Sequence, residues 1–308
     1  MSLPHKTQSH FSGKGCLSSA GCGLVFVVVA GLVLAGVVLY VQVRHLTTPY
    51  RNPIIGTFSR PYQKVTLTTA DNVKISGWYV PGTRPEAIVI VHGIHANRAY
   101  LIPQAEILAD AGYHLLLIDL RGHGQSGGET MTYGYDEALD VQAAVDFLAA
   151  LPNVEQIGAL GHSLGAAAVV RASAKDERIK AIVIQSSYSS LSRAIDDSFS
   201  NFVFLPKWPF APLIIAFAEN ITGAEVEQVN SAQDLAAMPD RSVLIIHSVD
   251  DNLFPPHHAE EMYQAASGPK ELWFIKGLPH VNPITGHEAE YQEKVLKFFA
   301  DAFAQKDQ

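Results

Sequence analysis

Cysteine, charge and basic runs are all scarce in this chain, and each shortage removes a class of explanation. Only Cys16 and Cys22 occur in 308 residues, and both precede a long apolar run. The chain beyond that run therefore has neither a disulfide framework nor a thiol nucleophile. Charged residues make up 17% of the sequence, with a net charge of −8. There is no basic stripe, so nothing points to nucleic acid as a partner. Acidic residues are missing from the first 22 positions, and no charge of either sign lies between Gly15 and Val43. Internal repeats and low-complexity segments are absent as well.

That uncharged stretch holds Leu24 to Val43, twenty residues in which Gln42 is the only strongly polar one. A helix of about 20 apolar residues crosses a bilayer core. The run exceeds the roughly 7–15-residue core of a secretory signal and ends without a small-x-small cleavage site. An uncleaved anchor is expected. Lys6 and Lys14 before it and Arg44, Arg51, Arg60 and Lys64 after it nearly balance, so the side of the membrane stays open. The chain divides into a tail (1–22), a transmembrane helix (23–43), a polar, proline-containing linker (44–62) and one folded domain (63–308). A chain beginning near Pro53 is expected to be soluble and active.

The domain opens with two alternating segments, 64–69 and 73–80, around Ala70-Asp71-Asn72, which predict an antiparallel hairpin. A continuous apolar run comes next at 87–91, then strand candidates at 114–118, 156–160, 179–184, 243–246 and 271–275, with helical spacing between most of them. Alternation of this kind predicts an α/β fold, a mostly parallel sheet with helices on both faces. Ligands in such sheets bind beyond the carboxyl ends of the strands. His92, Asp119, Ser163, Asp250, Asp251 and His280 all fall at those ends.

Gly161-His162-Ser163-Leu164-Gly165 reads G-x-S-x-G between a strand and a helix, the setting that motif needs. A serine hydroxyl is a poor nucleophile until a base takes its proton, and the base needs a third group to orient it. The acid candidates are Asp250 and Asp251. The base candidate is His280, with His287 as rival. His92 and His95 resemble a metal pair, but no acid lies at ligand spacing, so His92 is read as ordering its loop. His123 is read as bracing a turn, and His257 and His258 as lying on an exposed helix start.

The chain resembles an α/β-hydrolase from about Lys64 to Phe303, and within that superfamily the serine aminopeptidase-like and Bem46-like membrane-anchored hydrolases. The resemblance rests on Asp71…Ile75-Ser76-Gly77-Trp78-Tyr79, His92-Gly93 with Arg98, Asp119…Arg121-Gly122-His123-Gly124…Ser126, the G-x-S-x-G stretch, Asp251-x-x-Phe254-Pro255 and Gly277-x-x-His280. It implies Ser163 as nucleophile, Asp251 as acid, His280 as base, and the backbone amides of Ile94 and Leu164 as oxyanion donors. It implies no cofactor and no metal. Asp119 becomes a structural acid, because the triad acid comes later in the chain. His247-Ser248 departs from the family's His-Gly at the start of the acid loop.

Between Ser186 and Met238 lies an insertion, with a cap expected over about 190–235. Its middle, Phe199 to Phe217, is rich in large apolar residues, while Pro206, Lys207, Pro209 and Pro212 argue against a second span. Phe204, Leu205 and Trp208 are the expected pocket residues. The expectation is a membrane-anchored, carboxylesterase-like serine hydrolase acting on a small-molecule or lipid-like acyl substrate. One alternative is an aminopeptidase-like serine peptidase, which needs an acid for the substrate ammonium; Phe199 to Phe217 offers none. Another is a catalytically silent binding module.

Overall fold

The computed structural model describes residues 14–49, 51–203, 205–280 and 284–305. Its helices are α1 (Lys14–Thr47), α2 (Ile102–Asp110), α3 (Glu137–Ala149), α4 (Leu164–Lys175), α5 (Leu191–Phe202), α6 (Lys207–Thr222), α7 (Ser231–Ala236), α8 (His257–Ala265) and α9 (Glu288–Ala304). Its strands are β1 (Gln63–Thr68), β2 (Lys74–Val80), β3 (Glu86–Val91), β4 (His114–Ile118), β5 (Gln156–His162), β6 (Ile179–Gln185), β7 (Ser242–Ser248) and β8 (Lys270–Ile275).

Among the described residues these strands form one eight-stranded sheet in the order β1-β2-β4-β3-β5-β6-β7-β8. The hairpin β1–β2 is antiparallel, as is β2 against β4. Every further pairing is parallel. The fold expected from the sequence is therefore present, hairpin first and parallel sheet after.

Strand side chains alternate between faces. Ala87, Val89 and Val91 of β3 enter one core, and Ile88 and Ile90 enter the other. Helices α3 and α4 cover the first face, α2 and α9 the second. Both faces being covered explains why β3 reads as an unbroken apolar run from Ala87 to Val91. Along α9, Tyr291, Val295, Phe298, Phe299 and Phe303 are buried at helical spacing. Burying a side chain as large as Phe299 is worth about 1.5–3 kcal/mol. The rings of Phe299 and Phe303 close on β5, where a Cβ at Gly158 would come within 2.9 Å of both.

Helix α1 has two parts. From Cys22 to Val38 nearly every side chain is exposed, while Leu39, Val43 and Thr47 are buried. Residues four apart share one helix face. Leu39 and Val43 pack with Phe199, Val203, Ala211 and Ile214 of the α5–α6 region. Backbone bonds then lock the end of the helix. The Met131 amide donates to the Thr47 carbonyl at 2.8 Å, and the Tyr133 hydroxyl donates to the Leu46 carbonyl at 2.7 Å. Further on, the Arg51 guanidinium donates to the carbonyls of Ser126 and Gly128, and Asn97 Nδ2 donates to the Pro53 carbonyl at 3.2 Å. The helix thus runs past residue 43 to Thr47, and the stretch read as a linker from residue 44 is tied to the domain. Polarity and proline content suit a linker, but backbone carbonyls that accept from a distant loop leave no mark in a sequence.

Candidate active site

The turn after β5 is forced by close packing. A Cβ at Gly161 would lie 2.5 Å from Ala166 Cα, and one at Gly165 would lie 2.3 Å from the His92 carbonyl oxygen. Only glycine lets α4 fold back so tightly on β5 and β3. Between them Ser163 adopts φ 53 and ψ −121. Its amide donates to the Gln185 carbonyl at 2.8 Å, which ties the turn to β6. Ser163 is 4% exposed.

Ser163 Oγ lies 3.0 Å from His280 Nε2. His280 Nδ1 lies 2.7 Å from Asp251 Oδ2. The other carboxylate oxygen of Asp251 accepts the amides of Leu253 at 2.9 Å and Phe254 at 2.8 Å. Burial pushes this carboxyl up, but the His280 hydrogen bond and charge, the Phe254 amide and His247 outweigh it and hold the pKa below the ordinary value. An ionised Asp251 suits a partner that holds one tautomer of the imidazole. The Phe254 ring stands edge-on to His280, with centroids 4.9 Å apart, and limits how the base can turn.

Asp250 faces elsewhere and accepts the Gly277 amide at 2.6 Å. His287 meets the Lys276 carbonyl at 3.3 Å. Of the two acids it is Asp251, and of the two bases His280, that connects to Ser163. Ser248, where the resemblance expects glycine, donates to the Leu278 carbonyl and accepts the Asp250 amide at 3.1 Å. It stitches the acid loop to the base loop.

The remaining polar residues at the strand ends are structural. His92 Nδ1 bonds the Gly93 carbonyl at 2.7 Å and Nε2 accepts the Leu120 amide at 3.1 Å. Burial, with His123 nearby, lowers its pKa to about 3. Asp119 accepts the amides of Arg98 at 2.7 Å and Gln125 at 2.8 Å. His123 Nδ1 bonds the Arg121 carbonyl at 2.9 Å and braces its turn. His258 corrects the reading of an exposed helix start. It is fully buried, its Nδ1 accepts the Ser189 amide at 3.2 Å, and its Nε2 lies 3.3 Å from Asp197. His257 Nε2 reaches the same carboxylate at 2.8 Å, so the pair fastens α5 to α8.

Two cavities meet at Ser163. The first has a volume of about 360 Å³, with Ile94, Ser163 and Leu164 on its floor. Leu164 opens α4, and the first amides of a helix have no partner within it. Its roof is apolar: Leu191, Ile195 and Phe199 come from α5, Ile214, Ile215 and Ala218 from α6, and Val43 and Leu46 from α1. The second, more polar cleft is lined by Asn52, Ile55, His95, Tyr100, His162 and His280.

The expected pocket residues are not the ones that line the first cavity. Trp208 is 77% exposed, at the non-helical kink that opens α6. Leu205 packs on the α1–α6 cluster rather than lining the cavity. Phe204 lies outside the described residues. The inward stripe of α6 begins a turn later, at Ala211, and continues through Ile214, Ile215 and Ala218. The contribution of α1 is absent from the expectation altogether. Its i, i+4 signal at Leu39, Val43 and Thr47 is hidden in a run where almost every residue is apolar.

A family model described as the alpha/beta hydrolase fold matches residues 86–220. The strand order and the Ser163 turn agree with it. The chain has the α/β-hydrolase fold. The esterase Pf2001 of Pyrococcus furiosus superposes with a TM-score of 0.69 at 28% identity, covering 83% of this chain and 97% of that one. YqkD of Bacillus subtilis is 25% identical over 296 residues, 92% of this chain and 97% of its own length. YfhR of Salmonella typhi is 25% identical over 275 residues, 83% of this chain and 87% of its own. This hydrolase thus matches its relatives nearly from end to end.

Proposed function

We propose that this α/β hydrolase is a membrane-anchored serine esterase acting on apolar acyl esters. The observation that carries the reading is the unbroken relay Ser163–His280–Asp251, with contacts of 3.0 and 2.7 Å. In the reaction Ser163 Oγ attacks the acyl carbon as its proton passes to His280 Nε2. Asp251 stabilises the imidazolium that forms. The amides of Leu164 and Ile94 receive the oxyanion. The C–O bond to the alcohol then breaks, and the alcohol leaves with the proton held by His280. Water, deprotonated by His280, attacks the acyl-enzyme and releases the acid, returning Ser163 to its hydroxyl form.

The apolar roof favours an acyl chain over a charged substrate. Two acids, Glu219 and Glu225, line the same cavity, and Glu219 accepts the Val226 amide at 2.9 Å; the many apolar side chains around them favour the acyl reading. The similarity to an esterase supports the same choice. The anchor is Cys22–Thr47, a helix long and apolar enough to cross a bilayer. The test is covalent labelling by a fluorophosphonate probe alongside hydrolysis of nitrophenyl esters and aminoacyl anilides. Labelling that vanishes in Ser163→Ala, with esters cleaved faster than anilides, is the expected result. A folded protein that is never labelled has no working nucleophile, and faster anilide cleavage replaces the esterase with a peptidase.

A further inference from the structure

The segment that leads out of the anchor lines both cavities that meet at Ser163. Val43, Leu46 and Thr47 line the apolar cavity, and Asn52 and Ile55 line the second, more polar cleft. We propose that the last turn of α1 is a wall of the acyl-chain pocket, so that Val43 and Leu46 help determine which acyl chains are accepted. This rests on the serine-esterase reading and names the part of the substrate that α1 recognises: an acyl chain well beyond acetyl.

Three observations carry it. The first is position. The cavity runs from Ser163 and Leu164 at its floor to α1 and the α5–α6 pair. An ester whose carbonyl sits at Ser163 and whose tail fills this cavity therefore meets Leu46. The second is chemistry. Gln42 and His45 also reach the cavity from this end of α1, but Thr47 donates its hydroxyl to the Val43 carbonyl at 2.9 Å, and Val43 and Leu46 supply the apolar part of the wall. The third is fixity. Val43 is fully buried, and the Leu46 and Thr47 carbonyls are held by Tyr133 and Met131. A wall held this way presents one shape to each substrate.

The volume, about 360 Å³, falls in the range of about 300–1,000 Å³ that encloses small ligands. Each methylene buried there is worth about fourfold in binding. A chain beginning near Pro53 lacks this wall, so full activity is no longer expected of it.

The experiment uses the full chain in phosphatidylcholine vesicles. The quantity read is the ratio of kcat/KM for nitrophenyl octanoate to that for nitrophenyl acetate. Leu46→Trp fills the cavity and is expected to lower the ratio at least tenfold. Leu46→Ala guards against a tryptophan variant that does not fold; it removes tail contacts and is expected to lower the ratio about threefold or more. A ratio that stays within twofold of the parent in a folded variant, still labelled by fluorophosphonate, overturns the proposal and leaves the esterase reading intact. A parent chain that neither hydrolyses nor labels overturns the esterase reading and this proposal with it.

Discussion

Beneath Ser163 the protein is built from backbone closures; above it, from side-chain surfaces that meet over long sequence distances. The floor is fixed by two glycines that no other residue could replace and by hydrogen bonds from adjacent loops. The roof is α5, α6 and the end of α1, apolar helices whose rotation is set by what each packs against. The floor tolerates almost no change in residue type. The roof needs volume and apolarity, which many residues supply.

The largest effect is expected in the floor. Ser163→Ala and His280→Ala should each lower ester turnover by about 10⁴–10⁶-fold, and the double variant should lose hardly more, because triad members act as one unit. Thermal melting of each variant checks that the fold survives. Additive losses would separate the two residues mechanistically.

Next comes the acid. Asp251→Asn should cost about 10³–10⁴-fold in kcat, since it leaves His280 in the wrong tautomer. Asp250→Asn should cost less than about tenfold, because its carboxylate serves the Gly277 amide. Equal losses in steady-state kinetics would remove the distinction between the neighbours.

A smaller effect is expected from acid. Burial lowers the pKa of His92 and of His162 to about 3, from an ordinary 6.5. The folded chain keeps both neutral where the unfolded chain already binds protons. Their contribution to stability is fully present above about 6.5 and is lost as pH falls from there toward 3. Urea midpoints should therefore drop between pH 7 and pH 5, and His162→Phe should make that drop shallower. An unchanged slope with pH would show that these rings take up protons in the fold.

The smallest effect belongs to the roof's outer surface. Trp208→Ala should change ester turnover by less than about twofold, since an exposed side chain outside the cavity contributes little. A tenfold fall in octanoate hydrolysis would return Trp208 to the pocket.

The same contrast explains what the sequence disclosed. The floor was legible because its requirements are categorical: glycine where a Cβ would clash, serine between them, aspartate and histidine after successive strands. Between Asp250 and Asp251 the residues alone left the choice open, and only the resemblance, aligned on Pro255, preferred Asp251. The roof was legible as apolar but not as a surface. Phe199 to Phe217 holds enough large residues to announce burial, yet Trp208 points outward because α6 begins at a kink. Which face of α6 turns inward depends on Leu39 and Val43, more than 150 positions earlier. No local pattern carries such a contact. His258 escaped for a related reason: its partners, Ser189 and Asp197, lie 69 and 61 positions earlier in the chain.

The backbone at Ser163 has a consequence for how this protein can change over time. A φ of 53 with ψ −121 is a conformation that a side chain resists, at a cost of about 1–3 kcal/mol. Glycine would occupy it with little resistance. At position 163, endurance and usefulness therefore favour different residues. A library filtered only by heat would accumulate glycine there, and its sturdiest members would be inert. Serine persists at such a position only where each generation is also judged by what the hydroxyl does.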